Sequence, residues 1–167
     1  MIIVVMGVSG SGKTTIGQSL ADAFGWDFQE GDALHPQTNI EKMSVGMPLN
    51  DEDRWPWLDR IAAWIRDEHA QHRQGVVSCS ALKRSYRDRL RLADADVGFV
   101  YIQVSRRELE RRMQQRQHFM PTSLLDSQLQ TLEEPKPDED ALTVSGEATI
   151  ETILAEVGQW LEQRRTR

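Results

Sequence analysis

Residues 7–14 read GVSGSGKT and follow directly on the apolar run IIVVM at residues 2–6. They fill the pattern G-x-x-x-x-G-K-[ST] at every fixed position, which requires a strand, a tight loop and a helix in that order. Backbone N–H groups converge on a polyphosphate only where the loop folds back on itself, and glycines at 7, 10 and 12 permit that. A helix opening at Lys13 aims its positive end at the same anion. Gly7, Ser9, Gly10, Ser11, Gly12, Lys13, Thr14 and Thr15 are therefore candidate nucleotide ligands. Lys13 is placed to bridge the β- and γ-phosphates, and the Thr14 hydroxyl to ligate Mg²⁺.

The rest of the chain continues the alternation. Short β-branched runs at 76–80 and 97–104 are strand candidates, with weaker ones at 27–30 and 141–145. Between them, Ile16, Leu20 and Phe24 recur at helical spacing before Gly25, a C-terminal stop. Trp57, Leu58, Ile61, Trp64 and Ile65 do the same, as do Ile150, Ile153, Leu154, Val157 and Leu161. Strands alternating with helices predict βαβ units, hence an α/β fold with a parallel sheet covered on both faces. The charged stretch EEPKPDED at 133–140 reads as a solvated loop. With 167 residues, 39% of them apolar, the prediction is one domain spanning 1–167.

A net charge of −6 argues against a nucleic-acid partner, so any cationic site must be local. The single cysteine, Cys79, has no internal disulfide partner and suits a reducing, cytoplasmic setting. The apolar run after Met1 is too short for a membrane span or a signal peptide. A guanine-reading element is missing: the only asparagines, Asn39 and Asn50, do not precede lysine, and no Thr-Lys-x-Asp occurs. A small kinase remains, in which catalysis is mostly positioning and charge stabilisation.

The stretches GDALHP (31–36), NIEKMSVGMPLNDEDRWPWL (39–58), CSALKRSYRDRLR (79–91), HFMP (118–121) and LLDSQLQTLEEP (124–135) resemble those of gluconate kinases (gluconokinases). The resemblance covers almost the whole chain. It implies transfer of the γ-phosphate of ATP, with Mg²⁺, to the 6-hydroxyl of D-gluconate. It also implies a P-loop kinase three-layer sandwich of about five parallel strands with the first strand central, a small helical lid at about 112–131, and a homodimer.

Glu30 and Asp32 close the weak second strand, at the edge where open parallel sheets bind ligands. One acid could hold a water on Mg²⁺; the resemblance gives Asp32 the other role, orienting the acceptor hydroxyl and taking its proton. Alternatively, Asp32 caps a helix that starts near His35. His35 itself suits a bond within its loop or a substrate contact. Ser80 and Lys83 follow the third strand, and Arg87 lies one helical turn beyond Lys83, so the two cations share a face that could grip a sugar-acid carboxylate or the moving phosphoryl group. An exposed basic surface is the other reading of that face. The segment 106–116 reads as a charged helix. By resemblance, Arg112 lies against the adenine and Arg116 reaches the phosphates as an arginine finger in cis. Trp57 and Trp64 fall on an apolar stripe and need no ligand.

Arg54, in PLNDEDRWPWL, is poorly placed for stability. Pro56 is harmless only in a first helical turn, which puts the helix start near Glu52 or Asp53 and a cation at its positive end. Either Arg54 forms an ion pair with Asp51 or Asp53, or it reaches into the acceptor cleft and binds the substrate carboxylate.

Overall fold

A computed structural model describes residues 1–93, 96–115 and 122–167. Five strands, β1 (Ile2–Met6), β2 (Asp27–Glu30), β3 (Gly75–Ser78), β4 (Val97–Gln103) and β5 (Ala141–Ser145), form one sheet in the order β2-β3-β1-β4-β5. Every neighbouring pair is parallel, and β1 is central. The helices among the described residues are α1 (Lys13–Phe24), α2 (Gln37–Ser44), α3 (Asp51–Ala70), α4 (Arg84–Arg91), α5 (Arg106–Gln115), α6 (Thr122–Thr131) and α7 (Ile150–Arg165).

All five residues of β1 are buried because helices cover both sides of it. Ile2, Val4 and Met6 pack with Trp57, Leu58 and Ile61 of α3 and with Tyr86 and Leu90 of α4. Ile3 and Val5 point the other way, into Ile16 and Leu20 of α1 and Ile153 and Val157 of α7. A two-residue period buried on both faces leaves no polar position, hence the unbroken run IIVVM. The chain steps from β1 to one side of the sheet for β2 and β3 and to the other for β4, so a crevice opens at the carboxyl end of β1.

The strand and helix expectations hold, with two changes of register. β3 pairs from Gly75 to Ser78, not from 76 to 80. α3 starts at Asp51, before the expected Glu52 or Asp53, because Asn50 and Asp53 form a reciprocal capping box with N–H···O bonds of 2.8 and 2.9 Å. Pro56 then falls in the second turn, and the Glu52 carbonyl loses its usual donor. The stretch 133–140 also departs from a purely solvated loop. Residues Pro137–Glu139 form a 3₁₀ turn, and Glu139 is buried. No described helix is long and apolar enough to cross a membrane.

Glu68, near the end of α3, is buried with Oε2 unpartnered by any described residue. Burial, followed by contact with the Asp27 carboxylate on β2, pushes its pKa up to about 7, with Asp67 adding to the rise and Arg73 opposing it. The folded chain thus holds a proton that the unfolded chain releases between about pH 4.5 and 7. That contribution to stability is complete below this window and is lost as pH rises through it. Glu68→Gln keeps a donor toward Asp27 without the charge, so thermal melts should show the variant gaining stability over the parent as pH increases from 5 to 8.

Candidate active site

The loop after β1 is shaped as its glycines require. Gly12 has a φ of 97°, in the left-handed region, and ends the loop where α1 begins. No side chain caps that helix and its first turn carries no acid, so its N-terminal N–H groups meet no competing carboxylate there. Ser11 is fully buried, with its hydroxyl unpartnered among the described residues. Lys13 Nζ donates to the Val8 carbonyl at 3.0 Å, which arches the lysine back over the loop. An uncapped helix start, a folded-back lysine and an orphaned hydroxyl fit a polyphosphate. Thr15, by contrast, is exposed on α1.

The end of β2 delivers the acids. Thr14 Oγ1 donates to Glu30 Oε2, and Ser78 Oγ donates to Glu30 Oε1 at 2.6 Å. Thr14 and Glu30, expected to share a metal, are thus brought together. Gly31 permits the next step: a Cβ there would lie 1.9 Å from the Ser78 carbonyl oxygen, so only glycine lets the chain turn this close to β3. The chain then enters a 3₁₀ turn, Gly31–Leu34, capped by Glu30, which accepts from the Asp32 N–H. Asp32 does not cap α2, whose N-cap is Pro36. Its exposed side chain instead lines a cavity of about 540 Å³.

That cavity also takes in Ser9 and Lys13 from the phosphate loop, and His35, Arg54 and Ser80. Trp57, a core residue as expected, also forms part of its wall and was not singled out for this from the sequence. Its indole donates to the Gly31 carbonyl at 2.8 Å, and its ring stacks on His35 at 4.2 Å. Asn39 fixes the tautomer of His35. The Asn39 amide nitrogen donates to the Asp53 carbonyl at 2.9 Å and lies 3.1 Å from His35 Nδ1, which must therefore accept, leaving the proton on Nε2. That nitrogen stands 3.9 Å from Asp32 Oδ1. Burial, the largest influence, lowers the His35 pKa and favours the neutral ring. On the far wall, α6 presents Gln128, whose Oε1 accepts from the Ser9 N–H at 2.7 Å and whose Nε2 donates to Ser9 Oγ at 3.1 Å.

A family model described as an AAA domain matches residues 2–135. A gluconokinase from Gluconobacter oxydans is 54% identical over 93% of this chain and 88% of its own length. The chain belongs to the gluconokinase family. A crystal structure of a gluconokinase from Sinorhizobium meliloti superposes with a TM-score of 0.87 at 48% identity, covering 96% of this chain and 91% of the other. Shikimate kinase from Aquifex aeolicus shares the P-loop kinase fold at 14% identity, with a TM-score of 0.63 and 99% of each chain covered.

Two of the cations expected in this gluconokinase-family site, Arg87 and Lys83, are engaged by other partners. Arg87, predicted beside Lys83 on a substrate-gripping face, is fully buried. Its Nε and Nη2 donate to the two Glu139 oxygens at 2.7 and 3.2 Å, and Nη1 to the carbonyls of Ala81 and Leu82. It is a structural ion pair that ties α4 to the turn before β5, and it does not line the cavity. Lys83 turns to Asp51, with Nζ 3.0 Å from Oδ1, in a shallower depression beside the cavity. Arg112 donates to the carbonyls of Gly10 at 3.0 Å and Gly146 at 2.8 Å, bracing the back of the phosphate loop against the β5–α7 turn. Arg116 lies outside the described residues. Arg54, in contrast, lines the cavity as the second of its two readings required.

Removing one partner of a buried ion pair strands the other charge, at a cost of about 3–5 kcal/mol. Arg87→Ala should therefore lower the melting temperature sharply, while the folded fraction, assayed below its melting point, should keep the parent's KM for the acceptor.

Proposed function

We propose that this chain transfers the γ-phosphoryl group of ATP to the 6-hydroxyl of D-gluconate, giving 6-phosphogluconate and ADP. The observation that carries the reading is that one cavity holds both the lysine of the phosphate loop and, facing it, an exposed carboxylate and a buried arginine, namely Lys13, Asp32 and Arg54.

Each role follows from the side chain's surroundings. The loop N–H groups and Lys13 hold the triphosphate and offset the charge that builds on the transferring group. Asp32, exposed to the cavity, accepts the hydrogen bond of the acceptor hydroxyl and takes its proton as the new P–O bond forms and the bond to ADP breaks. Neutral His35 offers its Nε2 proton to a substrate hydroxyl next to Asp32, and Ser80 borders the same wall. Arg54 takes the carboxylate at the opposite end of the substrate.

Thr14 and Glu30 carry the oxygen donors that Mg²⁺ prefers, and among the described residues no cluster of three or more His, Cys, Asp or Glu competes for it. When bound, the ion neutralises polyphosphate charge. The same reading makes 1–167 one kinase domain with a lid at about 112–131, acting in the cytoplasm as a homodimer. The hold of Gln128 on Ser9 supports the lid assignment.

ADP release across a panel of sugar acids, aldoses, shikimate and nucleoside monophosphates, with the product phosphate located by NMR, tests the reaction. Gluconate should dominate, and another preferred acceptor would overturn the substrate assignment. Lys13→Ala should abolish most turnover with the fold retained. Asp32→Asn should lower kcat far more than it changes the KM for ATP.

A hydrogen bond to a charged group is worth roughly 1.5–3 kcal/mol, so Arg54→Ala should weaken gluconate use by about ten- to a hundred-fold. It should also erode the preference for gluconate over uncharged glucose and leave ATP binding unchanged. Competition kinetics with the two sugars would expose the opposite outcome.

A further inference from the structure

Arg54 is buried, yet among the described residues no carboxylate pairs with its guanidinium. The two acids that the sequence offered as partners are engaged elsewhere. Asp53 accepts from Lys42 Nζ at 2.7 Å and from the Asn50 N–H, and Asp51 accepts from Lys83. The guanidinium instead donates from Nη1 to the Tyr86 hydroxyl at 2.9 Å and lies 5.4 Å from the centre of that ring. Arginine can only donate, so the Tyr86 oxygen accepts here and must place its own proton elsewhere. It donates that proton to Asp51 Oδ1.

Lys83, Asp51, Tyr86 and Arg54 thus form a chain running from the protein surface to the cavity wall. Tyr86 is fully buried, wedged edge-on against Trp55, and cannot swing away. Lys83 Nζ stands 5.7 Å from the centre of its ring.

We propose that Tyr86 is a positioning residue for acceptor binding: its hydroxyl fixes the Arg54 guanidinium toward the cavity and keeps the Asp51 carboxylate one group away, so that no direct ion pair within the protein occupies the guanidinium and it stays open to the substrate carboxylate. The proposal rests on the reading of Arg54 as the carboxylate ligand. A direct Asp51–Arg54 pair would satisfy the guanidinium within the protein, and an incoming carboxylate would then have to displace it. The interposed phenol prevents this, because it accepts one hydrogen bond from Arg54 without bringing a negative charge against it. Burial, with the bond to Asp51, raises the Tyr86 pKa and keeps the phenol protonated. Lys83, offered by the sequence as a substrate ligand, becomes the group that holds Asp51 in place.

Tyr86→Phe tests this, because it keeps the ring and its packing and removes only the hydroxyl. We expect kcat/KM for gluconate to fall about ten-fold, mostly through KM, with the KM for ATP unchanged. The discriminating measurement repeats the substitution in an Arg54→Ala background. If Tyr86 acts through Arg54, its loss there should change kcat/KM by less than about two-fold, since coupled residues are not additive. Should Tyr86→Phe fail to fold, Lys83→Met releases Asp51 from the other end of the chain. A smaller rise in KM, again lost in the Arg54→Ala background, supports the same mechanism.

Equal losses with and without Arg54, or no effect of either variant on KM, would overturn the proposal and leave Tyr86 a packing residue. If Arg54→Ala itself left gluconate KM unmoved, the assignment of Arg54 would fall first, and the role of Tyr86 with it.

Discussion

The burial of β1 on both faces is the constraint from which the rest of this structure follows. Five consecutive apolar residues can be satisfied on both sides only by a strand flanked by parallel neighbours and sandwiched between helices. Once β1 is central, its carboxyl end opens between two crossovers, and the phosphate loop must sit at that opening. The end of β2, two strands away, comes to the same edge because β2, β3 and β1 are parallel and in register, with Glu30 level with Ser78 and Ser78 level with Val5. The Ser78–Glu30–Thr14 contacts are the local consequence.

Two buried arginines show how the fold separates support from recognition. Arg87 is matched by both oxygens of Glu139 and by two carbonyls, which engage four of its five N–H groups inside the protein. Arg54 is also buried, at the cavity wall, but meets a phenol where a carboxylate was available nearby. Burying a cation without a counter-charge is costly, and such cost is usual at sites built to receive an anion. Exposure alone would have ranked Arg87 and Arg54 together; the partners distinguish them.

Much of this was legible in the chain. Hydrophobic period located the strands and most helix limits, since helix and strand repeats are properties of local geometry. The phosphate loop was legible because glycine, lysine and threonine at fixed spacing serve a backbone conformation that few other residues adopt. The role of Trp57 in the cavity wall was not legible, because a tryptophan on an apolar stripe carries the same signal whether or not its edge meets a cleft. Gln128 lay within a family-like stretch, yet only the placement of α6 over Ser9 reveals its contact. The position of Glu139 was hidden by its neighbours, as the seven other charged or proline residues of 133–140 signal solvent unless a distant arginine claims the acid.

The sequence by itself determined the layered α/β fold, the central first strand's burial and the composition of the phosphate loop, since all three depend on residues close together along the chain. Only the tertiary structure decided which cations face the cavity and which are consumed within the protein. Spacing put Lys83 and Arg87 on one helix face, but ion pairs form between groups far apart in sequence, and Arg87 and Glu139 are separated by 52 positions. A charge is neutralised by whatever the fold brings within a few ångströms of it, and that choice is made by packing.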